Sequence, residues 1–380
     1  MRITDIVSYV VDGGGRNVIF VKTTTDQGIV GWGESFSVGP DLAVAATIDY
    51  LKDWLIGEDP RNIERLWATM CQGLRFPPGS IGLAAVSGIE HTLWDISAKA
   101  VGQPVYKLLG GRVRDRVRVY QGCAGPTPEA AAEMAVSLIA RYGYTALKMS
   151  PFPPDSDSRP WNVVLREGPK FIEAVRKAVG DDVDIGLDVH AKVFEPIRAL
   201  EMAHAVAPHN PYFYEEPIRP ENISEMALLR RQMPIPLATG EALYAKFEFN
   251  DLMQAQAADI VQPDVCVCGG LMEMQKIAAI AEAHDVAVAP HNPMGPLAGA
   301  INVHFAAATT NFLILEYKPH DTDRWRDLVK VPWAPVDGHL PIPETPGWGL
   351  EPNEDTLKSL AYAPWRRGDP RRADGSPAFI

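Results

Sequence analysis

The chain changes its hydrophobic rhythm twice. Over 1–35 apolar and polar residues alternate, a period of two that predicts strands at 3–11 and 18–23 and, after a turn at Asp26-Gln27-Gly28, a third through Val30-Gly31-Trp32. From about Ala43 to Gly110 the apolar positions recur at helical spacing, most clearly in Leu83-Ala84-Ala85-Val86-Ser87-Gly88-Ile89. That run ends at Leu109-Gly110-Gly111, where glycine can take the left-handed conformation that closes a helix. Strands followed by helices predict an α+β domain over 1–116.

After Arg116 short apolar runs alternate with helical stretches. The runs are VRVY (117–120), TALKM (145–149), DIGLDV (184–189), YFYEE (212–216), PLATG (236–240), DIVQPD (259–264), VAVAPH (286–291) and FLILE (312–316). Helical periodicity fills the intervals, as at 129–142, 166–179, 197–206, 271–284 and 297–308. Eight strands separated by seven helices predict an α/β chain whose parallel sheet closes into a barrel over 117–339, a modified TIM barrel of (β/α)7β type. Beyond Glu316 the chain becomes rich in Pro and Trp without a clear eighth helix. The tail, 340–380, is therefore expected to fold back onto the N-terminal domain. Asp155 to Pro160 reads as an exposed polar loop, and Gly13-Gly14-Gly15 as a mobile connection able to border a pocket.

Composition narrows the partners. A formal net charge of -12 argues against nucleic acid or an acidic membrane, since both need a clustered positive field. It leaves room for a small anionic substrate, because a bound divalent cation reverses the local sign. No apolar run approaches the ~20 residues of a membrane span, and the N-terminus reads as a strand, not a signal peptide. Four cysteines, Cys71, Cys123, Cys266 and Cys268, make no disulfide framework; Cys266 and Cys268 read as small buried thiols. A cytoplasmic protein is expected. No Gly-x-Ser-x-Gly or dinucleotide fingerprint occurs, and Asn222-Ile223-Ser224 reads as a helix start.

In a parallel barrel, chemistry gathers at the C-terminal strand ends. Seven of the eight runs end in or beside an ionisable residue: Lys148, Asp188, Glu215, Glu241, Asp264, His291 and Glu316. Asp188, Glu215 and Glu241 follow one another by 27 and 26 residues, about one strand–helix unit. Adjacent strands lie about 4.8 Å apart, so the three carboxylates must crowd together. Crowding raises carboxylate pKa values unless a hard cation with oxygen ligands, such as Mg²⁺, resolves it. The blander reading makes each one a separate helix cap; three in register favour the metal. Asp264 and His291 end neighbouring strands, so an Asp-oriented imidazole can act as a general base. His190, two residues past Asp188, is expected on the same strand face and opposite His291, where it suits a general acid. Lys148 is a candidate for the substrate carboxylate or a salt-bridge partner of Asp188. Glu316 is a candidate hydrogen-bond donor when protonated. Loops near 12–18 and 73–80, the latter with Arg75, are candidates for substrate selection.

These residues resemble the enolase superfamily in its mandelate racemase-like subgroup. The matching segments are Leu187-Asp188-Val189-His190, Tyr214-Glu215-Glu216-Pro217, Gly240-Glu241, Gln262-Pro263-Asp264, Gly269-Gly270-Leu271 and Ala289-Pro290-His291-Asn292, with Trp365-Arg366-Arg367 in the tail. Within the subgroup the chain is most similar to sugar-acid dehydratases, the D-galactonate dehydratases among them. The resemblance implies one Mg²⁺ per active site, an N-terminal domain capping the barrel mouth, and homo-oligomers, frequently octamers. Racemases of the subgroup carry Lys-x-Lys on the second strand. Here Lys148-Met149-Ser150 puts Ser150 at the second position, which disfavours two-base racemisation and makes Ser150 a candidate substrate contact. The expected reaction is β-elimination of water from an aldonic acid. His291, oriented by Asp264, takes the C2 proton, His190 protonates the departing 3-hydroxyl, and the metal with Lys148 and Glu316 stabilises the enediolate. A cycloisomerase or epimerase sharing the enediolate is the nearest alternative, and a non-catalytic sugar-acid-binding protein a remote one.

Overall fold

The computed structural model describes residues 1–321, 325–366 and 368–378; Arg367 of the tail motif lies outside them. Three antiparallel strands open the chain, β1 (Ile3–Asp12), β2 (Asn17–Thr25) and β3 (Val30–Ser35), in the order β1-β2-β3. Helices α1 (Asp41–Lys52) and α3 (Gly79–Ala100) pack against them, α2 (Ile63–Gly73) packs on α3, and a short α4 (Val105–Leu108) follows. Helix α3 lies unusually close to β3. A Cβ on Gly33 would stand 2.1 Å from the Gly88 carbonyl oxygen, and one on Gly31 2.2 Å from that of Thr92. Glycine at both positions allows this backbone-to-backbone approach.

From β4 (Arg116–Gly122) strands and helices alternate: α5 (Pro128–Tyr142), β5 (Ala146–Met149), α6 (Trp161–Val179), β6 (Asp184–Asp188), α7 (Pro196–Val206), β7 (Phe213–Glu215), α8 (Ile223–Arg230), β8 (Leu237–Thr239), α9 (Ala245–Gln254), β9 (Ile260–Val261), α10 (Leu271–Glu282), β10 (Ala287–Val288), α11 (Pro296–Ala308) and β11 (Leu315–Glu316). The parallel sheet runs β10-β9-β8-β7-β6-β5-β4-β11, and a parallel bridge between Val288 and Phe312 joins its ends. This is the (β/α)7β barrel, with strands shorter than the apolar runs that foretold them. Tyr120, Ala146, Phe213, Ala238, Ile260, Ala289 and Ile314 form an apolar cluster drawn from seven of the eight strand segments.

After β11 come α12 (Trp325–Leu328), β12 (His339–Pro341) and α13 (Glu354–Ser359). Strand β12 pairs antiparallel with β4, a barrel addition that three residues are too few to announce by periodicity. Farther on, the tail meets the N-terminal layer: Trp348 Nε1 donates to the Trp32 carbonyl at 2.8 Å, and Glu354 accepts from Tyr9 and Lys22. Residues Ser156–Ser158 form a 3₁₀ turn within the polar loop. Asn222 accepts from the Glu225 amide and caps α8, as a helix start should. Cys266 and Cys268 are buried free thiols. Among the described residues no helix is long and apolar enough to cross a membrane.

Burial also fixes a histidine. Tyr106 N–H donates to Nδ1 of His304, and Nε2 of His304 faces the Trp348 carbonyl at 3.0 Å, so the ring is neutral with its proton on Nε2. Burial drives its pKa down to about 4. A depressed folded-state value means the stabilisation is complete above the unfolded value near 6.5 and is lost as pH falls toward about 4. The stability advantage of wild type over His304→Gln should therefore shrink across that window, by roughly 1.4 kcal/mol per pH unit at its steepest. Urea titrations at several pH values measure it; a constant difference would remove His304 from the acid response.

Candidate active site

The barrel interior explains where the functional side chains point. Side chains alternate across a strand, so a residue two positions beyond an inward one also faces in. Ala146 is followed at that spacing by Lys148, Phe213 by Glu215, Ala289 by His291 and Ile314 by Glu316. Asp188 and Glu215 are direct partners in the parallel register of β6 and β7. Glu241, Asp264 and His291 lie two or three residues beyond the shorter strands.

These groups meet beneath a cavity of about 860 Å³ whose wall includes Lys148, Ser150, Asp188, His190, Glu241, His291 and Glu316. At its base Lys148 Nζ lies 2.9 Å from Asp188 Oδ2, 3.1 Å from Glu215 Oε1 and 3.2 Å from Glu316 Oε1. Lys148 is thus the ion-pair hub of the strand ends, matching its salt-bridge reading. Burial works against the ionised form of Asp188, yet Lys148 and His190 hold its carboxyl below the ordinary value. Glu215 goes the other way: burial, then the Asp188 charge, pushes it well above the carboxylate range. Burial likewise opposes ionised Glu316, but Lys148 and His291 outweigh it and keep its pKa low. Glu316 is therefore an acceptor here, and it takes the Asn292 N–H at 3.0 Å. The donor role considered for a protonated Glu316 does not fit this environment.

On the far side His291 Nδ1 is 2.9 Å from Asp264 Oδ2, and its Nε2 is 3.2 Å from Glu241 Oε2. Burial disfavours the imidazolium, but Glu241, the Asp264 hydrogen bond and Glu316 together lift His291 to about 10. The Cys266 amide holds the other Asp264 oxygen at 2.7 Å.

His190 reaches the cavity by a different route from simple alternation. Strand β6 stops at Asp188, and both His190 (φ 50°) and Ala191 (φ 51°) adopt the left-handed region. Such backbone is costly for non-glycine residues and gathers at functional sites. The turn is tied down by the His190 N–H donating to Asp188 Oδ1 at 3.0 Å, with His190 Nδ1 3.4 Å from the same oxygen. Strands β6 and β10 are four steps apart in a ring of eight, which places His190 and His291 on opposite sides.

The donor set of Asp188, Glu215 and Glu241 fits a hard divalent cation by its chemistry: oxygen ligands on successive strands with one lysine among them. Among the described residues no three His, Cys, Asp or Glu side chains form a converged metal cluster. Glu215 is turned to Lys148 and Glu241 to His291.

Both loops singled out for substrate selection reach the wall, through Arg16 and Ser80. Arg75 is exposed over the Phe76 ring and is not among the wall residues. The sequence reading missed Phe36, Tyr244 and Trp365, which also line the cavity. Arg16 lies over the rings of Phe36 and Trp365, at 5.5 and 5.4 Å, a pairing of distant segments that no local pattern signals.

Comparison with known proteins bears on this arrangement. Residues 130–356 match the family described as enolase C-terminal domain-like, and residues 12–110 match the mandelate racemase / muconate lactonizing enzyme N-terminal domain. D-galactonate dehydratase of Ralstonia nicotianae is 35% identical over 393 residues, and that of Xanthomonas campestris pv. campestris 35% over 394, with both chains fully covered each time. An Agrobacterium radiobacter enolase, provisionally named a galactarate dehydratase and solved with sodium and L-malate, is 44% identical with a TM-score of 0.95 over all of both chains. A mandelate racemase/muconate lactonizing enzyme from Sulfitobacter is 37% identical, with a TM-score of 0.89 over 96% of each chain. Its sequence and fold together show that the chain belongs to the enolase superfamily, as an enzyme of the mandelate racemase/muconate lactonizing enzyme group.

Proposed function

We propose that this enzyme, a sugar-acid dehydratase, removes the C2 proton of its substrate through His291 and expels the 3-hydroxyl with a proton from His190. The product is a 2-keto-3-deoxy acid. The observation that carries this reading is the pair of histidines facing one cavity from opposite sides, each hydrogen-bonded or ion-paired to its own aspartate. Asp188, Glu215 and Glu241 would hold Mg²⁺, a Lewis acid that offsets the charge developing on the enediolate.

The residues divide the proton work. A base must be neutral, and Glu241 is the largest influence favouring the charged form of His291. Glu241 would be drawn from His291 when it holds a cation, and His291 would then be able to accept the C2 proton at Nε2, while Asp264 fixes Nδ1–H. Loss of the 3-hydroxyl then takes the C–O electron pair and the His190 proton as water. Protonation of the resulting enol at C3 completes the keto acid. Lys148 keeps Asp188 and Glu316 ionised at the base of the site, and Ser150 and Glu316 stand in the wall as substrate contacts. The wall combines Phe36, Ser80 and Trp365 with barrel residues, which supports assigning 1–116 and the tail 340–380 to a cap over the barrel 117–339.

A D-galactonate-like monoacid is the first substrate reading, supported by the dehydratases at 35% identity. A second reading, an aldaric diacid, is favoured by Arg16 and Arg366 in the wall, cations suited to a distal carboxylate. Four free thiols suit a reducing cytoplasm.

His190→Asn separates the two proton transfers. Dehydration should fall by roughly 10²–10⁴-fold, while exchange of the C2 proton with D₂O continues. Unimpaired keto-acid formation would take His190 out of the mechanism.

A further inference from the structure

The members of the dyad, His291 and Asp264, each precede a barrel helix that has no cap of its own. Helix α11 begins behind Gly295 and α10 behind Gly270, and neither glycine supplies a side-chain acceptor for the first-turn N–H groups. In both cases a buried carboxylate from the N-terminal layer fills the role. Glu34, on β3, accepts from Gly295 N–H through Oε1 and from Leu297 and Ala298 N–H, each at 3.1 Å, through Oε2. Glu90, on α3, accepts from Leu271 and Met272 N–H, both at 3.0 Å, and from Trp94 Nε1. Both glutamates are fully buried.

The two caps are tied to each other and to the dyad backbone. His91, next to Glu90, places Nδ1 3.0 Å from the Glu34 carbonyl oxygen and Nε2 3.1 Å from that of Val265, the neighbour of Asp264. Phe36 N–H donates to the Cys266 carbonyl at 3.2 Å. The segment from His291 to Gly295 is therefore fixed at both ends, by Glu316 through Asn292 and by Glu34 at the helix start.

We propose that Glu34 and Glu90 are positioning residues for the dyad: they cap α11 and α10 from across the molecule and so set the backbone from which His291 and Asp264 project. The inference rests on the reading of His291 and Asp264 as the base and its orienting partner. Each carboxyl accepts backbone N–H groups through both of its oxygens, which an amide of the same shape cannot do because its nitrogen only donates. A stability role alone does not account for both carboxylates reaching the two helices that follow the dyad strands.

The test compares Glu34→Gln and Glu90→Gln with Asp95→Asn. Asp95 is another buried carboxylate of α3, accepting from Trp32 and Trp348 N–H, and touches neither dyad loop. Each protein is assayed with Mg²⁺ for C2-proton exchange and dehydration, well below its own melting temperature. A displaced base costs on the order of 10–10²-fold, so kcat should fall by that much in both glutamate variants, with KM within about twofold. Asp95→Asn should lower Tm and leave kcat within about twofold. If Glu34→Gln does not fold, Gly295→Ala substitutes for it: its Cβ would sit 2.7 Å from Glu34 Oε1, spreading the cap while keeping the carboxyl group, and should give the same kcat loss. Wild-type kcat in the glutamate variants, or an equal kcat loss in Asp95→Asn, overturns the proposal. Survival of exchange in His291→Asn instead refutes the assignment of the base, and shows which of the two claims has failed.

Discussion

Replacing His291 by Asn is expected to abolish exchange of the substrate's C2 proton with solvent and to lower keto-acid formation by at least roughly 10²–10⁴-fold. The expectation comes from geometry. His291 Nδ1 is committed to Asp264 at 2.9 Å, so only Nε2 is available for the substrate, and asparagine offers no basic nitrogen there. The fold should tolerate the change, since the amide can still donate to Asp264. The decisive reading is the C2–H signal of the substrate in D₂O by NMR. If it decays at the wild-type rate in the variant, another group is the base.

The second large effect concerns Glu215. This carboxylate is 1% exposed, and burial and the neighbouring Asp188 charge both resist its ionisation. Glu215→Gln should therefore cost the metal-free protein little, because burial and Asp188 already favour the neutral carboxyl, whose shape glutamine keeps. Mg²⁺ should bind about 10²-fold more weakly or worse, since even the loss of a ligand's outer partner costs 10–10²-fold. Turnover should disappear with it. In wild type, chelation should stop the reaction and added Mg²⁺ restore it. Saturating Mg²⁺ should also stabilise the wild type, by about 2.7 kcal/mol at a hundredfold excess over Kd. Calorimetric titration and melting curves with and without Mg²⁺ measure both. Wild-type affinity in Glu215→Gln would remove that residue from the ligand set.

Much of this was legible because strand and helix periodicities differ. The eight apolar runs were recognisable from composition and spacing, and their ends marked residues that line the cavity, such as Lys148, Asp188, His291 and Glu316, because inward positions recur every second residue. The same rule misjudged His190: a strand ending at Asp188 hands over to left-handed backbone, which depends on the Asp188 oxygen and not on any local run. Strand β12 escaped notice because three residues, His339–Pro341, carry no period. Arg75 was chosen for its loop, yet Ser80 and Arg16 are the residues that reach the wall. Side-chain direction at a loop tip depends on tertiary contacts, here Phe36 and Trp365 around Arg16. The roles of the buried carboxylates Glu34, Glu90 and Glu216 were invisible for a related reason. Each serves a backbone or hydroxyl partner far along the chain, such as Thr239 and Gly240 for Glu216.

Lys148 sits among carboxylates at the base of the cavity. Read from sequence, Lys148 had two possible partners, the substrate and Asp188. Its three contacts at 2.9 to 3.2 Å are all carboxylates, so its charge is already committed to ordering the strand ends. A distal cation for the substrate must then come from elsewhere in the wall, and Arg16 and Arg366 are the cations placed there.

The most direct test of the account is proton NMR of a panel of six-carbon aldonates and aldarates incubated in D₂O with Mg²⁺ and the enzyme. The account predicts that at least one acid loses its C2–H signal and gives a C3 methylene bearing one deuterium, in a product that traps with semicarbazide. Inversion at C2 with the 3-hydroxyl retained, or tight binding across the panel without turnover, would contradict it.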